Sequence, residues 1–492
     1  MTVNSGIDRE QKDIYGLAHF CEHMLFLGSK KYPKPTHFVD YITLYGGKFN
    51  GFTDFETTGF FFKIHTERFV NAMDIFSRFF IDPLLSEEYV VKEVNSVNSE
   101  FERNIQLDSK RKEMVLRHVA NPESLFHRFS TGNKHTLLEY AKKNDINLRE
   151  KVFDFYTKNY RPDNMKLIVY GNKDIDFYKK IINEKFSDMK KPQKPMEKKQ
   201  YTKLPWEYNE IGQLVLYETI NNHQELDINF MVEDIFEIIP DNSALYFKIL
   251  LNYKGKGSLD DVLRKHGLVA GIKASLRKTT KGFSFFKLRG YCTTRGIKNL
   301  DKVIAIIYKY IKFIRRRALD KKLYDYTKKV FDIAFYFSSK KRKLTRYLKM
   351  FCGVVWKYKP KYWLSQHRIM DEYNEENVRK FGDKLILKNS ILMLGNKTFK
   401  NLTEKYSLFV EDLDDNVELN KSDPFYKTNF IHKNIKKSFI DMIDRADAQS
   451  ELKGKELKLF ANTKSLPNKI SLVRDCKKGR KKSVIKNYLK II

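Results

Sequence analysis

Apolar residues in the first 190 positions follow two spacings, and the alternation between them predicts helices and strands within one unit. Helical spacing, with apolar side chains three and four residues apart, marks residues 16–28, 37–45, 67–80, 86–107, 148–160 and 177–186. Short apolar runs bounded by Gly, Asn and Pro predict strands, namely a hairpin of 48–53 with 57–65 and a later strand at 165–170.

Residues 207–430 repeat this order of elements without repeating the sequence. Strands are predicted at 213–217, 225–232, 269–275, 282–292 and 390–394, and helices at 243–251, 259–266, 300–316, 321–337 and 343–355. The expected fold class is α+β, with two similar domains, each a mixed and mostly antiparallel sheet covered by helices. We expect these domains at 1–190 and 207–430, with a charged, proline-containing linker at 191–206 and a basic extension at 431–492.

The chain is strongly basic, with 93 Lys and Arg against 61 Asp and Glu and a formal net charge of +32. Such a charge can reflect a nucleic-acid or acidic-membrane partner. The lysines are spread over the whole chain, however, so we interpret the charge as a compositional bias and disfavour nucleic acid as a partner. The lysine cluster at 477–482 fits either a nuclear address or a solvated tail, and we favour the tail.

Cysteine use and hydropathy indicate a cytoplasmic chain. The four cysteines are scattered and form no Cys-x-x-Cys pair, which fits a reducing compartment. No apolar run approaches the roughly 18 residues that a membrane-spanning helix needs. Residues 1–13 are mostly polar and contain no signal-peptide core. We therefore expect a cytoplasmic location and no membrane partner.

The most specific chemistry lies at 19–23, where the sequence reads His-x-x-Glu-His. On a helix, His19 and His23 lie one turn apart on the same face, so both imidazoles can bind one metal ion. Glu22 lies at the edge of that face, where it can take a proton from a metal-bound water. This order is the inverse of the commoner His-Glu-x-x-His zinc motif, and it predicts one zinc ion per chain. Cys21 lies off this face, and we interpret it as a small buried residue.

A third ligand is expected on the helix predicted at 86–107, since catalytic zinc commonly takes three protein ligands and a water. Glu93 and Glu100 are seven residues apart and share a face. Glu100 and Glu102 differ by about 200° in direction, so only one of them can be the ligand, and spacing alone leaves the choice open. Glu93 fits either a group that orients a ligating histidine or a solvated carboxylate.

The hairpin strand at 48–53 has two interpretations. Its residues Asn50, Gly51, Phe52 and Thr53 fit an edge strand that binds a peptide substrate by strand addition. They fit a plain hairpin strand equally well.

The string at 16–33, Gly-Leu-x-His-Phe-Cys-Glu-His-Met-Leu-Phe-Leu-Gly-Ser-Lys-Lys-Tyr-Pro, resembles the inverzincin metallopeptidases of the pitrilysin (insulinase) family, in particular the branch of insulin-degrading enzyme and nardilysin. The resemblance implies that His19 and His23 are zinc ligands, that the family spacing assigns Glu100 as the third ligand, and that Glu93 is a supporting glutamate. It also implies that residues 50–53 form the substrate-binding edge strand, with Gly51 where that branch often has alanine.

Two departures from the family affect what can be expected. Only residues 2–5 can stand for the strands that precede the motif helix in relatives, and the chain corresponds to the N-terminal half of a family in which four similar domains close into a chamber. We predict a zinc-dependent endopeptidase that hydrolyses peptides through a metal-activated water with Glu22 as general base, with a second subunit or a homodimer closing the chamber. The alternative is a catalytically weak or inactive peptidase-like binding or assembly subunit.

Overall fold

The computed structural model describes residues 1–11, 14–190, 192–197, 203–207, 212–232, 234, 242–280, 282–337, 344–365, 370, 372–399, 402–413 and 419–445. The basic extension beyond residue 445, with its lysine cluster at 477–482, lies outside the described residues, as do residues 191 and 198–202 of the predicted linker.

The first unit is a small antiparallel sheet covered by helices. Its elements are β1 (Thr2–Val3), α1 (Leu17–Leu25), α2 (His37–Leu44), β2 (Lys48–Thr53), β3 (Thr58–Lys63), α3 (Phe69–Ser77), α4 (Glu87–Ile105), α5 (Asp108–His118), α6 (Tyr140–Lys143), α7 (Leu148–Asn159), β4 (Met165–Lys166) and α8 (Ile175–Phe186). The strand order is β2-β3-β1-β4, so β2 is an edge strand and the two-residue β1 lies inside the sheet.

The apolar face of the helix that carries the metal motif forms part of the core of this unit. Phe20, Met24 and Leu25 of α1 pack with Phe60 of β3 and Val94 of α4, all of them buried. The 3.6-residue period therefore buries one side of α1 and leaves the histidine side facing outward.

The second unit has a larger, seven-stranded sheet. Its elements are β5 (Gln213–Glu218), β6 (Glu225–Val232), α9 (Ser243–Leu251), α10 (Leu259–Lys265), β7 (Val269–Thr280), β8 (Phe283–Cys292), α11 (Thr294–Lys298), α12 (Leu300–Arg317), α13 (Lys321–Tyr336), α14 (Leu344–Val354), α15 (Glu375–Asp383), β9 (Ser390–Asn396), α16 (Thr403–Ser407), β10 (Lys421–Ser422), β11 (Asn429–Asn434) and α17 (Lys437–Arg445). The order is β10-β11-β5-β9-β6-β8-β7, and every neighbouring pair is antiparallel except β5 with β9. The predicted α+β class is confirmed. The sheet and its core continue past residue 430 through β11 and α17.

Both faces of the second sheet are covered, and the alternation of side chains along β5 shows how. Leu214 and Leu216 lie in the core formed with the helices of the second unit, whereas Val215 and Tyr217 face the first unit. That second face packs on residues of α5 and on Trp206 at the end of the predicted linker, which is buried. The two units therefore share an apolar interface.

Two findings differ from the sequence-based expectations. The strand predicted at 165–170 is limited to Met165 and Lys166, because β1 offers partners only through Val3 and Thr2. Helix α5, which the sequence did not predict, follows α4 directly and carries buried charged side chains to the second sheet, where Lys112 pairs with Glu225 and with Asp227 at 2.6 Å.

Candidate metal centre

The start of α1 is fixed by a close contact between two glycines. Gly16 precedes the helix with φ of 89°, and a β-carbon there would lie 2.2 Å from Cα of Gly132. Such a conformation and such a contact are open only to glycine. Because Gly132 is held against the start of α1, the preceding residue Thr131 comes within hydrogen-bonding distance of His19.

His19, His23 and Glu100 converge on one point. The Nε2 atoms of His19 and His23 each lie 3.8 Å from Oε2 of Glu100, and the ligand atoms of the three residues all lie within 4.8 Å of one another. Ligand atoms bound about 2.0–2.2 Å from a tetrahedral ion are roughly 3.4 Å apart, so the three side chains need only a small movement to share one ion. Among the described residues, this is the one group of three or more His, Cys, Asp or Glu side chains arranged in this way.

The other ring nitrogens are held by hydrogen-bond acceptors. Nδ1 of His19 donates to the carbonyl oxygen of Thr131, and Nδ1 of His23 donates to Oε1 of Glu93, both at 2.7 Å. A carbonyl or carboxylate oxygen can only accept, so Nδ1 of each ring carries a proton, and in the neutral ring that binds a metal Nε2 carries the lone pair. Two imidazoles and one carboxylate in this state are a donor set that fits Zn²⁺.

Charges around the site favour a cation between the histidines and Glu100. Burial lowers the pKa of His19 to about 4. Burial also opposes charge on His23, but the carboxylates of Glu100 and Glu93 outweigh it and raise its pKa to about 9. The neighbouring ring of His23 lowers the pKa of Glu100 to about 2. The point where the three side chains meet is therefore electronegative.

Glu22 lies beside this group and is held by strand β2. It is 5% exposed, and its Oε2 accepts a hydrogen bond of 2.6 Å from Oγ1 of Thr53. A β-carbon on Gly51 would lie 2.1 Å from its Oε1. Burial raises the pKa of Glu22 to about 7, so its carboxyl group can both accept and release a proton near neutral pH.

A cleft of about 600 Å³ contains all these groups. Its lining includes nine of the residues that the sequence analysis put forward as catalytic, metal-binding, supporting or substrate-binding groups: His19, Glu22, His23, Asn50, Gly51, Phe52, Thr53, Glu93 and Glu100. Glu102, the alternative ligand, is exposed and instead accepts a hydrogen bond from Asn98 at 2.8 Å. Cys21 is fully buried in the core, on the other side of α1.

The cleft also contains polar residues that the sequence analysis did not single out, among them Thr131, Lys110 and Lys349. Thr131 lies in a loop, Lys110 in the unpredicted helix α5, and Lys349 in α14. Each is brought to the cleft by a contact between segments that are distant in sequence, so no local pattern marks it.

Comparison with known structures identifies the fold. The chain superposes on the crystal structure of pitrilysin with a TM-score of 0.84 and 23% identity, covering 96% of this chain and 48% of that one. The architecture is thus a pitrilysin-like α+β fold. Within the described residues, no helix combines the length and the apolar character needed to cross a lipid bilayer.

Sequence comparison then gives the family. Three family models match in succession: insulinase (peptidase family M16) over residues 1–123, the peptidase M16 inactive domain over 147–331, and the middle or third domain of peptidase M16 over 335–488. The chain belongs to the insulinase family of peptidases.

The curated relatives are longer proteins. The chain is 31% identical to the insulin-degrading enzyme of Drosophila melanogaster over 342 residues, which is 70% of this chain and 34% of that protein. It is 28% identical to the insulin-degrading enzyme of Homo sapiens over 405 residues, or 82% of this chain and 40% of that protein. The chain therefore spans between a third and two fifths of the length of these two relatives.

Proposed function

We propose that this chain is a zinc-dependent endopeptidase in which His19, His23 and Glu100 hold the ion and Glu22 is the general base. The observation that carries the proposal is the convergence of the three ligand side chains, with both Nε2 atoms facing the same carboxylate oxygen. When bound, zinc supplies a Lewis acid that lowers the pKa of a coordinated water to about 7 and polarises a carbonyl group.

The proton transfers are assigned to Glu22. Its carboxylate takes a proton from the attacking water and later delivers it to the leaving amine of the cleaved peptide bond. The Thr53 hydroxyl orients the Glu22 carboxylate. Burial of that carboxylate raises its pKa to about 7, so it can gain and lose a proton at neutral pH. Glu93 and the carbonyl group of Thr131 orient the two imidazoles.

Peptide substrates are proposed to bind along β2. This strand is at the edge of its sheet, paired with β3 on one side only, and its residues 49–53 line the cleft. An extended peptide that adds to such an edge is held through its backbone, which accepts many sequences. Asn50, Gly51, Phe52 and Thr53 would then contact the substrate beside the proposed metal ligands.

The wider assembly and location are also proposals. We propose that a second subunit, or a second copy of this chain, covers the cleft. Lys48 and Asn50 of β2 are exposed, so the cleft is open to solvent on the side of this strand. A reducing compartment such as the cytoplasm is consistent with Cys21, Cys292 and Cys352, which are buried and form no disulfide bond within the described residues.

The test is a comparison of wild type with Glu22→Gln and His19→Ala. We expect about one zinc ion per chain in wild type and in Glu22→Gln, and much less in His19→Ala. Cleavage of a quenched fluorescent peptide should fall about 10²- to 10⁴-fold in Glu22→Gln. Zinc binding without any Glu22-dependent cleavage would instead identify a peptidase-like binding subunit, and absence of zinc binding would contradict the proposed site.

A further inference from the structure

Two exposed lysines from outside the metal motif line the cleft. Lys110 lies in the first turn of α5, and Lys349 lies on α14. They are the only Lys or Arg side chains that the cleft contains in the described part of the chain. Neither forms an ion pair with a described residue, so both ammonium groups are available to a ligand.

Lys349 is held over the strand proposed to bind the peptide. Its Nζ lies 5.1 Å from the centroid of the Phe52 ring in β2. Helix α14 reaches this position because it packs on the first sheet, where the Thr2 hydroxyl donates to the carbonyl oxygen of Cys352 at 3.0 Å. A cation above an aromatic face gains a modest attraction, which restricts where the flexible lysine side chain lies.

Lys110 lies beside the other part of the site. Its charge acts on both His19 and Glu100, whereas the charge of Lys349 acts on Glu22. One lysine thus stands next to the edge strand and the proposed base, and the other next to the proposed metal ligands.

The acidic groups of the cleft are already engaged within the site. Glu93 accepts from His23, Glu22 accepts from Thr53, and Glu100 faces the two histidines. The two lysines are therefore the charges that an incoming peptide side chain would meet. The net charge of +32 adds a long-range field that attracts anions to the molecule.

We propose that Lys110 and Lys349 select acidic peptides, with an Asp or Glu side chain near the scissile bond, as the substrate class of this cleft. This inference rests on the proposed peptidase function. An exposed ion pair is worth up to about 1 kcal/mol, so each lysine should contribute up to about a fivefold preference.

The experiment uses the full-length zinc-loaded chain and three peptides that differ only in Glu, Gln or Lys at the positions flanking the scissile bond. In wild type, kcat/KM should be highest for the Glu peptide and lowest for the Lys peptide, and the difference should shrink as salt is raised. In Lys110→Glu and in Lys349→Glu the ratio of kcat/KM for the Glu peptide to that for the Lys peptide should decrease. In the double variant the Lys peptide should become the better substrate. Lys158→Glu, an exposed position on α7 outside the cleft, is the matched control and should keep the wild-type order.

A binding measurement separates this inference from the proposed function. Fluorescence anisotropy of the labelled peptides on Glu22→Gln reports affinity without turnover. Tighter binding of the Glu peptide that depends on Lys110 and Lys349 supports the inference even if wild type cleaves nothing. Cleavage with equal kcat/KM for all three peptides supports the peptidase and overturns the inference. A preference that Lys158→Glu changes as much as Lys349→Glu also overturns it, because net charge alone would then explain the selection.

Discussion

Gly51 and Glu22 are packed so closely that a β-carbon at position 51 would lie 2.1 Å from Oε1 of Glu22. The other oxygen of that carboxylate accepts a hydrogen bond from Thr53, two residues further along β2. Residues two apart on a strand share a face, so one face of β2 sets the position of the proposed base through a missing side chain and a hydroxyl group.

Gly51→Ala should displace the Glu22 carboxylate and break its hydrogen bond with Thr53. A hydrogen bond to a charged group is worth about 1.5–3 kcal/mol, so we expect kcat to fall about 10- to 100-fold in Gly51→Ala and in Thr53→Ala. The double variant should be no slower than Gly51→Ala, because both changes remove the same contact. Kinetics at constant zinc occupancy would check this, with Gly353→Ala as the control, because a β-carbon at position 353 would meet no atom of another described segment within 4 Å. Additive losses would show that the two residues act independently.

Glu100→Gln should abolish most zinc affinity, whereas Glu102→Gln should leave it unchanged. Both residues lie on α4, but only Glu100 faces His19 and His23, at 3.8 Å from each Nε2 atom. We expect the zinc Kd of Glu100→Gln, measured by competition with a chromogenic chelator, to rise at least a hundredfold, beyond the range typical of residues that only support a ligand. Equal losses in the two variants would contradict the assignment of Glu100.

Glu93→Ala should weaken zinc binding about 10- to 100-fold, because His23 would lose the acceptor that fixes its ring. Glu93→Gln keeps an acceptor oxygen and should lie closer to wild type. The same chelator competition measures both. Wild-type affinity in Glu93→Ala would mean that Glu93 is simply a solvated carboxylate on the helix surface.

Lys112→Met should lower the free energy of unfolding by about 1.5–3 kcal/mol, because Glu225 and Asp227 lose one buried partner but keep Lys287 and Arg289. Urea denaturation measures the change. Lys34→Met is a suitable comparison, since its ion pair with Asp40 at 2.8 Å is exposed and its removal should have little effect. If both variants unfold at the same urea concentration, the buried pairs do not stabilise the interface between the units.

Glu10 should make stability depend on pH. Burial raises the pKa of Glu10 to about 8. The backbone N–H groups of Ala18 and Gly16 donate to its carboxylate and lower the pKa, but burial has the larger effect. Between the ordinary value of 4.5 and about 8, the folded state therefore holds a proton that the unfolded state has released, so stability decreases as pH rises. The slope for one proton is at most about 1.4 kcal/mol per pH unit. Thermal unfolding between pH 5 and 8 should show this decrease in wild type and a smaller one in Glu10→Gln. Parallel curves for the two proteins would show that Glu10 does not titrate in this range.

The local features of the molecule followed from the sequence. The helical period of α1 separates Phe20 and Met24, which are buried, from the two histidines, which line the cleft. Spacing reduced the third ligand to Glu100 or Glu102, and only the family resemblance chose between them. The geometry now places Glu100 in the cleft and Glu102 at the surface.

Features that depend on distant contacts could not be predicted. Helix α5 carries a run of charged residues, so its pattern is that of a solvated segment. In the structure, Lys112 and Arg117 of this helix are buried because each also binds a group elsewhere in the fold, Asp227 and the carbonyl oxygen of Arg128 respectively. The contact of Thr131 with His19 likewise depends on the close approach of Gly132 to Gly16. The spacing of apolar residues in the sequence does not predict this approach.

The open edge of β2 is proposed to bind peptides, but it also creates a risk of aggregation, since exposed strand edges pair with one another. At the end of the β2–β3 hairpin that is away from its turn, Lys48 of β2 lies directly opposite Lys63 of β3, and both side chains are exposed. A second protein edge that paired with β2 would have to cover the charge of Lys48, and such edge lysines are one way in which proteins avoid edge-to-edge pairing. The edge proposed to bind peptides therefore carries a charge that discourages the protein from becoming its own ligand.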